Sequence, residues 1–95
     1  MPLIKQKTQS YIFIETWMIK DLNLSGNELL CYAILYNYRE LNSVSNISIK
    51  TIMGMLNCKI SEAHDILLSL DDKEEIAINI DVFNKDKEIY YTINL

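Results

Sequence analysis

The sequence predicts a small α+β domain: three main helices followed by a C-terminal β-hairpin. Three observations predict it. A capped apolar helix begins near residue 25, two short segments after it repeat one apolar stripe at helical spacing, and apolar residues then alternate with others from Ile76 to the C terminus. At 95 residues and 49% apolar, the chain has material for one core. We therefore expect a single domain over 1–95, with an N-terminal arm (1–24), a helical part (25–72) and a hairpin (75–95).

In the arm, Tyr11 to Ile14 is a short apolar run that suits either a paired strand or a packed arm, and Trp17, Met18 and Leu22 follow at one-turn helical spacing. Ser25 with Glu28 three residues later is the signature of a capping box, in which hydroxyl and carboxylate satisfy two orphaned backbone donors. The helix predicted there runs to about Glu40, and Leu29, Leu30, Ala33, Ile34, Leu35 and Tyr36 wrap more than one side of it. A helix apolar nearly all round is usually central. Either the arm covers its second face, or Tyr32, Leu35 and Tyr36 contribute to a homodimer through this helix.

Asn42 to Asn46 reads as a loop, leading into one short strand through Val44 to Ile47. Ser48 then caps the second helix, over 48–56, where Ile49, Ile52, Met53 and Leu56 recur at i, i+3, i+4 and i+7. Asn57 and Cys58 form a turn, and the third helix, over 60–72, repeats the stripe with Ala63, Ile66, Leu67 and Leu70. Two short helices of matched pattern at this separation fit helix-turn-helix geometry. Beyond them, Ile76, Ile78, Ile80 and Val82 alternate with their neighbours, as do Ile89, Tyr91, Ile93 and Leu95, around a turn at Asn84–Lys87. Three helices with such a hairpin make a winged helix-turn-helix domain. Its expected core holds Leu29, Ala33, Ile52, Leu56, Ile66, Leu67, Leu70, Ile78 and Tyr91.

The run Trp17-Met18-Ile19-Lys20, then Leu22 through Leu30, then Tyr32-Ala33-Ile34 and Tyr36, resembles the N-terminal winged-helix domain of replication-initiator-type proteins of phages and mobile elements in low-GC Gram-positive bacteria. The resemblance continues through Leu56-Asn57-Cys58 and the spacing of Leu67, Leu70, Lys73 and Ile76. It implies DNA binding through the third helix and the wing. The departures fall on that surface. Where the family shows serine, basic or polar residues and a later Gln-Arg type pair, this chain reads Lys59, Ile60, Ser61, Glu62, Ala63, His64 and Asp65. The family proteins also continue into a second domain, whereas this chain ends at Leu95, so replication activity does not carry over intact.

Charge placement sharpens the mismatch. The net charge is −4, with six basic against four acidic residues over 1–60 and three against nine over 61–95. With Ala63, Ile66, Leu67 and Leu70 turned inward, Ser61, Asp65, Leu68 and Asp72 fall near the centre of the third helix's outward face. Carboxylates there meet a polyanion unfavourably, and specific DNA readers rely on many basic phosphate contacts. Leu68 among Ser61, Asp65 and Asp72 has the form of a small apolar anchor with a polar rim. His64 reads as an exposed helix residue or a polar interface contact. Tyr91 reads as core, and Tyr90 is open.

Other chemistry finds little footing. Two glycines and one histidine supply neither a phosphate loop nor a triad, so we expect no enzyme activity and no cofactor. Cys31 and Cys58 lack metal-type spacing and read as free thiols, and Asp71, Asp72, Glu74 and Glu75 read as a solvated helix end, with no metal. No stretch is long and apolar enough for a signal peptide or membrane span, so the expected location is cytoplasmic, with no membrane partner. Two function classes follow. In the preferred one, a phage or mobile-element protein binds a protein partner through Ser61, Glu62, Asp65, Leu68 and Asp72, inhibiting a host nucleic-acid-handling enzyme; an anti-CRISPR inhibitor is one form of this. In the alternative, a DNA-binding module, an initiator fragment or small regulator, uses Lys50, Lys59, His64, Lys85 and Lys87, with Lys5 and Lys7 adding charge.

Overall fold

Alternation in the C-terminal third produces strands that turn Ile76, Ile89 and Tyr91 toward the helices. A computed structural model describes residues 12–40, 44–78 and 88–94, with the elements α1 (Thr16–Lys20), α2 (Gly26–Asn37), β1 (Ser45–Ser48), α3 (Ile49–Leu56), α4 (Ile60–Asp72), β2 (Ile76–Ile78) and β3 (Glu88–Ile93). The three strands form one antiparallel sheet in the order β1-β3-β2. Tyr91 in the central strand stands opposite Ser45 of β1 and Ile78 of β2. Ile47, Ile76, Ile89 and Tyr91 point inward and join Cys31, Leu35, Ile49, Ile52, Ala63, Leu67 and Leu70 in one core. The result is a small α+β domain with four helices among the described residues.

The arm covers the second face of α2, which is how a helix apolar on all sides becomes central. Met18 of α1 is buried, and Trp17 meets Tyr32 edge-on with ring centroids 6.1 Å apart and Tyr36 at 5.4 Å. Ile12 to Glu15 is an arm, not a strand: Asn37 Oδ1 accepts the Phe13 N–H at 3.1 Å, and Asn37 Nδ2 donates to the Phe13 carbonyl at 2.9 Å. Tyr32 and Leu35 are fully buried within the single chain, so they offer no surface to a second copy. Tyr36 is half-buried, beneath the Arg39 guanidinium 3.7 Å from its ring centroid.

Three sequence expectations need correction. Ser25 is the N-cap of α2, but its side chain makes no cap bond; Gly26 takes φ +59°, a left-handed entry that suits glycine, and Glu28 turns instead to Ser69 and Lys73. A charge-assisted tie between helices replaces the local cap. The first main helix stops at Asn37, short of Glu40: Tyr38 still donates to the Ile34 carbonyl in helical fashion, but Arg39 donates to Tyr36 in place of Leu35, whose carbonyl is taken by the Tyr91 hydroxyl. Leu29, Ile66 and Ile78, expected in the core, are half-buried and pack against its margin. The turn expected at Asn84–Lys87 lies outside the described residues.

Tyr91 also completes α2. The last carbonyls of a helix lack intrahelical donors. The Leu35 carbonyl, one of these, accepts the buried Tyr91 hydroxyl at 2.6 Å. Tyr32, equally buried, has a hydroxyl with no hydrogen-bond partner among the described residues, and burial pushes its pKa up to about 12. Opposite outcomes follow for the same substitution. Tyr91→Phe removes a donor from a buried carbonyl and is expected to cost about 1–2 kcal/mol, whereas Tyr32→Phe removes a desolvated, unpaired group and is expected to be neutral or stabilising by up to about 1 kcal/mol. Urea unfolding of both variants with unchanged m-values checks this.

Candidate protein-binding face on the fourth helix

The face is positioned by the α3–turn–α4 unit. Ser48 Oγ accepts the Thr51 N–H at 3.0 Å, as the sequence predicts for a helix cap, and Ile49, Ile52 and Leu56 bury one stripe of α3. Asn57 then takes φ +53° and ψ +52°, a left-handed turn that asparagine tolerates, and the Cys58 N–H closes it onto the Met53 carbonyl at 3.1 Å. Lys59 is the N-cap of α4, where Glu62 Oε1 accepts the Lys59 N–H at 2.9 Å. Ala63, Leu67 and Leu70 point into the core, fixing the rotation of α4 about its axis.

That rotation leaves Ser61, Glu62, Asp65 and Asp72 exposed. Asp65 and Asp72 lie two turns apart, about 10 Å along the helix. Leu68 is half-buried on the flank of this face and stands outside the core cluster, which corrects its reading as an exposed central leucine: two turns from Ser61, it lies nearer the buried stripe than Asp65 does. His64 is likewise half-buried, not exposed. Glu62 serves two purposes, since one carboxylate oxygen caps the helix that displays it.

The basic side chains are dispersed. Lys50 and Lys59 are exposed at the starts of α3 and α4, and Lys85 and Lys87 lie outside the described residues. Lys73, at the end of α4, is paired with Glu28 of α2, and Ser69 donates to the same carboxylate. Sequence reasoning missed this pairing, because 45 residues separate its partners and no local pattern links them. Burial of Glu28 opposes ionisation, but hydrogen bonds from Lys73 and Ser69 and the Lys73 charge outweigh it and hold the carboxyl below its ordinary 4.5. Burial pushes the Cys31 thiol up to about 12 and raises Cys58 as well, so both stay protonated at neutral pH. Among the described residues, no group of three or more His, Cys, Asp or Glu side chains is placed to hold a metal ion, and no helix is long and apolar enough to cross a membrane. A groove of about 660 Å³ runs along α1, lined by Ile14, Glu15, Thr16, Trp17, Lys20 and Asp21, and shares no residue with the α4 face. No family model, curated protein or solved structure matches the chain.

The end of α4 carries a local strain. Glu75 and Glu74 donate to the Leu70 and Asp71 carbonyls, a Schellman arrangement, with Glu74 at φ +64° where glycine is usual. Glu74→Gly is expected to stabilise the fold by about 1 kcal/mol, measured by thermal or urea unfolding. The Glu28 tie predicts a pH dependence. Its folded pKa is lowered, so its stabilisation is complete above the ordinary 4.5 and is lost as pH falls through the folded value. Because the pair is partly exposed, the loss is under about 1 kcal/mol. Glu28→Gln should flatten this part of the stability–pH curve.

Proposed function

We propose that this chain is a winged-helix protein of phage or mobile-element type that acts by binding a protein, using the outward face of α4 as its contact surface. From α2 onward the helix–strand–helix–helix–strand–strand order, with the last strand central in the sheet, supports the winged-helix reading. The observation that carries the functional reading is the composition of the exposed face: Glu62, Asp65 and Asp72 beside Ser61, with no lysine or arginine within α4; of the two lysines that flank the helix, Lys73 is engaged by Glu28 and Lys59 is exposed at its start. Such a face repels phosphate and attracts a basic groove. The partner of this chemistry is a host nucleic-acid-handling protein, and occupying its groove inhibits it, as an anti-CRISPR inhibitor does. Asp65 and Asp72 act on encounter rate, and Leu68, on the rim, acts on residence time.

The exposure of Lys50 and Lys59 at the starts of two helices favours a second reading, a DNA-binding module that grips phosphate there with help from His64, Lys85 and Lys87. One experiment separates the two: titration of the protein into a random-sequence duplex at physiological salt, beside calorimetry against a protein partner captured from host lysate and then purified. The protein-binding reading expects duplex binding weaker than the roughly 10⁻⁴ to 10⁻⁶ M of nonspecific DNA binders. Asp65→Lys should weaken the protein complex at least about tenfold while changing stability by less than about 0.5 kcal/mol, since the side chain is exposed. Micromolar duplex binding whose salt dependence flattens in Lys59→Ala would establish the DNA reading instead.

A further inference from the structure

The outward face of the sheet carries a set of side chains that neither the core nor the α4 face employs. Alternation along β3 turns Glu88, Tyr90 and Thr92 away from the core while Ile89 and Tyr91 enter it. Asn46, an outward residue of β1, stands opposite Tyr90 in the register, and its Nδ2 donates to Glu88 Oε1, the diagonal neighbour on the central strand. Tyr90 is 53% exposed. The amide therefore ties the carboxylate on the same outward face as the exposed Tyr90 ring, and its bond uses neither the second carboxylate oxygen nor Asn46 Oδ1, both of which are acceptors. Among the described residues no lysine or arginine pairs with Glu88.

An exposed tyrosine alone is ordinary. What distinguishes this one is that a ring face, a fixed negative charge and a neutral acceptor come together across one strand pair. A guanidinium matches all three: it is planar and stacks on the ring, and its N–H donors fork onto the carboxylate and the amide oxygen. An ammonium supplies charge without the plane, and a phosphate meets Glu88 with like charge. We propose that Asn46, Glu88 and Tyr90 form a docking site for an arginine side chain of a protein partner. The site lies on the sheet, on elements distinct from α4, so it stands or falls independently of the α4 reading.

The test is a titration of the ¹⁵N-labelled chain, followed by amide shifts, with the peptide acetyl-Gly-Ser-Gly-Arg-Gly-Ser-Gly-amide and its lysine and citrulline counterparts. The arginine peptide should shift Tyr90, Glu88 and Asn46 saturably, lysine should bind at least about twofold more weakly, and neutral citrulline should produce no saturable shift. Glu88→Gln, which keeps the side-chain shape, and Tyr90→Thr, which suits a strand, should each lower affinity about two- to fivefold, the loss of one exposed charge or cation–π contact. Retained dispersion of the amide spectrum identifies the variants as folded. Equal shifts with all three peptides, unchanged affinity in both folded variants, or shifts confined to other surfaces would overturn the proposal.

Discussion

Tyr91 occupies the crossing of the sheet and the helical layer, and most of the tertiary arrangement passes through it. Its backbone lies in the central strand, opposite both edge strands. Its ring is in the core, and its hydroxyl ends on the Leu35 carbonyl, a helix-end acceptor that would otherwise be buried without a donor. A phenol is long enough to span the sheet–helix distance and polar only at its tip, which is what this position requires. Ser45, buried opposite it in β1, accepts the Glu40 N–H at 2.7 Å and so fixes the chain just beyond α2. The register of three strands and the end of one helix are thereby set by neighbouring groups.

From that arrangement the orientation of α4 follows. Leu67 and Leu70 enter the core, Glu28 holds Lys73 and Ser69 from the side of α2, and the exposed residues of the helix, Ser61, Glu62, Asp65 and Asp72, are polar or acidic. The Glu28 tie does more than hold two helices together, because it also engages the lysine that follows α4. The electrostatic character of the face depends on this contact as well as on the residues the helix itself displays.

The fold was legible where periodicity is strong. The α3 and α4 stripes, the Ser48 cap and the Asn57 turn all appear at the positions their residue types predict, because each depends on interactions within a few residues. The arm was legible only as a choice, since an apolar run such as Ile12 to Ile14 reads equally as strand or packing segment until Asn37 claims the Phe13 backbone. Glu28 misled for the same reason: its sequence neighbours describe a capping box, and its spatial neighbours offer a charged partner.

The sequence by itself determined the order of the main helices and which stripe of α3 and of α4 is apolar, since a helical period is a property of a short stretch of chain. It also determined that the outward side of α4 is acidic. Only the tertiary structure decided that the arm would pack Trp17 on Tyr32 and Tyr36 of α2, that Glu28 would engage Lys73, and that Asn46 would hold Glu88 on the same outward face as Tyr90. Those outcomes join residues roughly 15 to 45 positions apart, whose meeting is set by core packing and strand register and not by any local pattern.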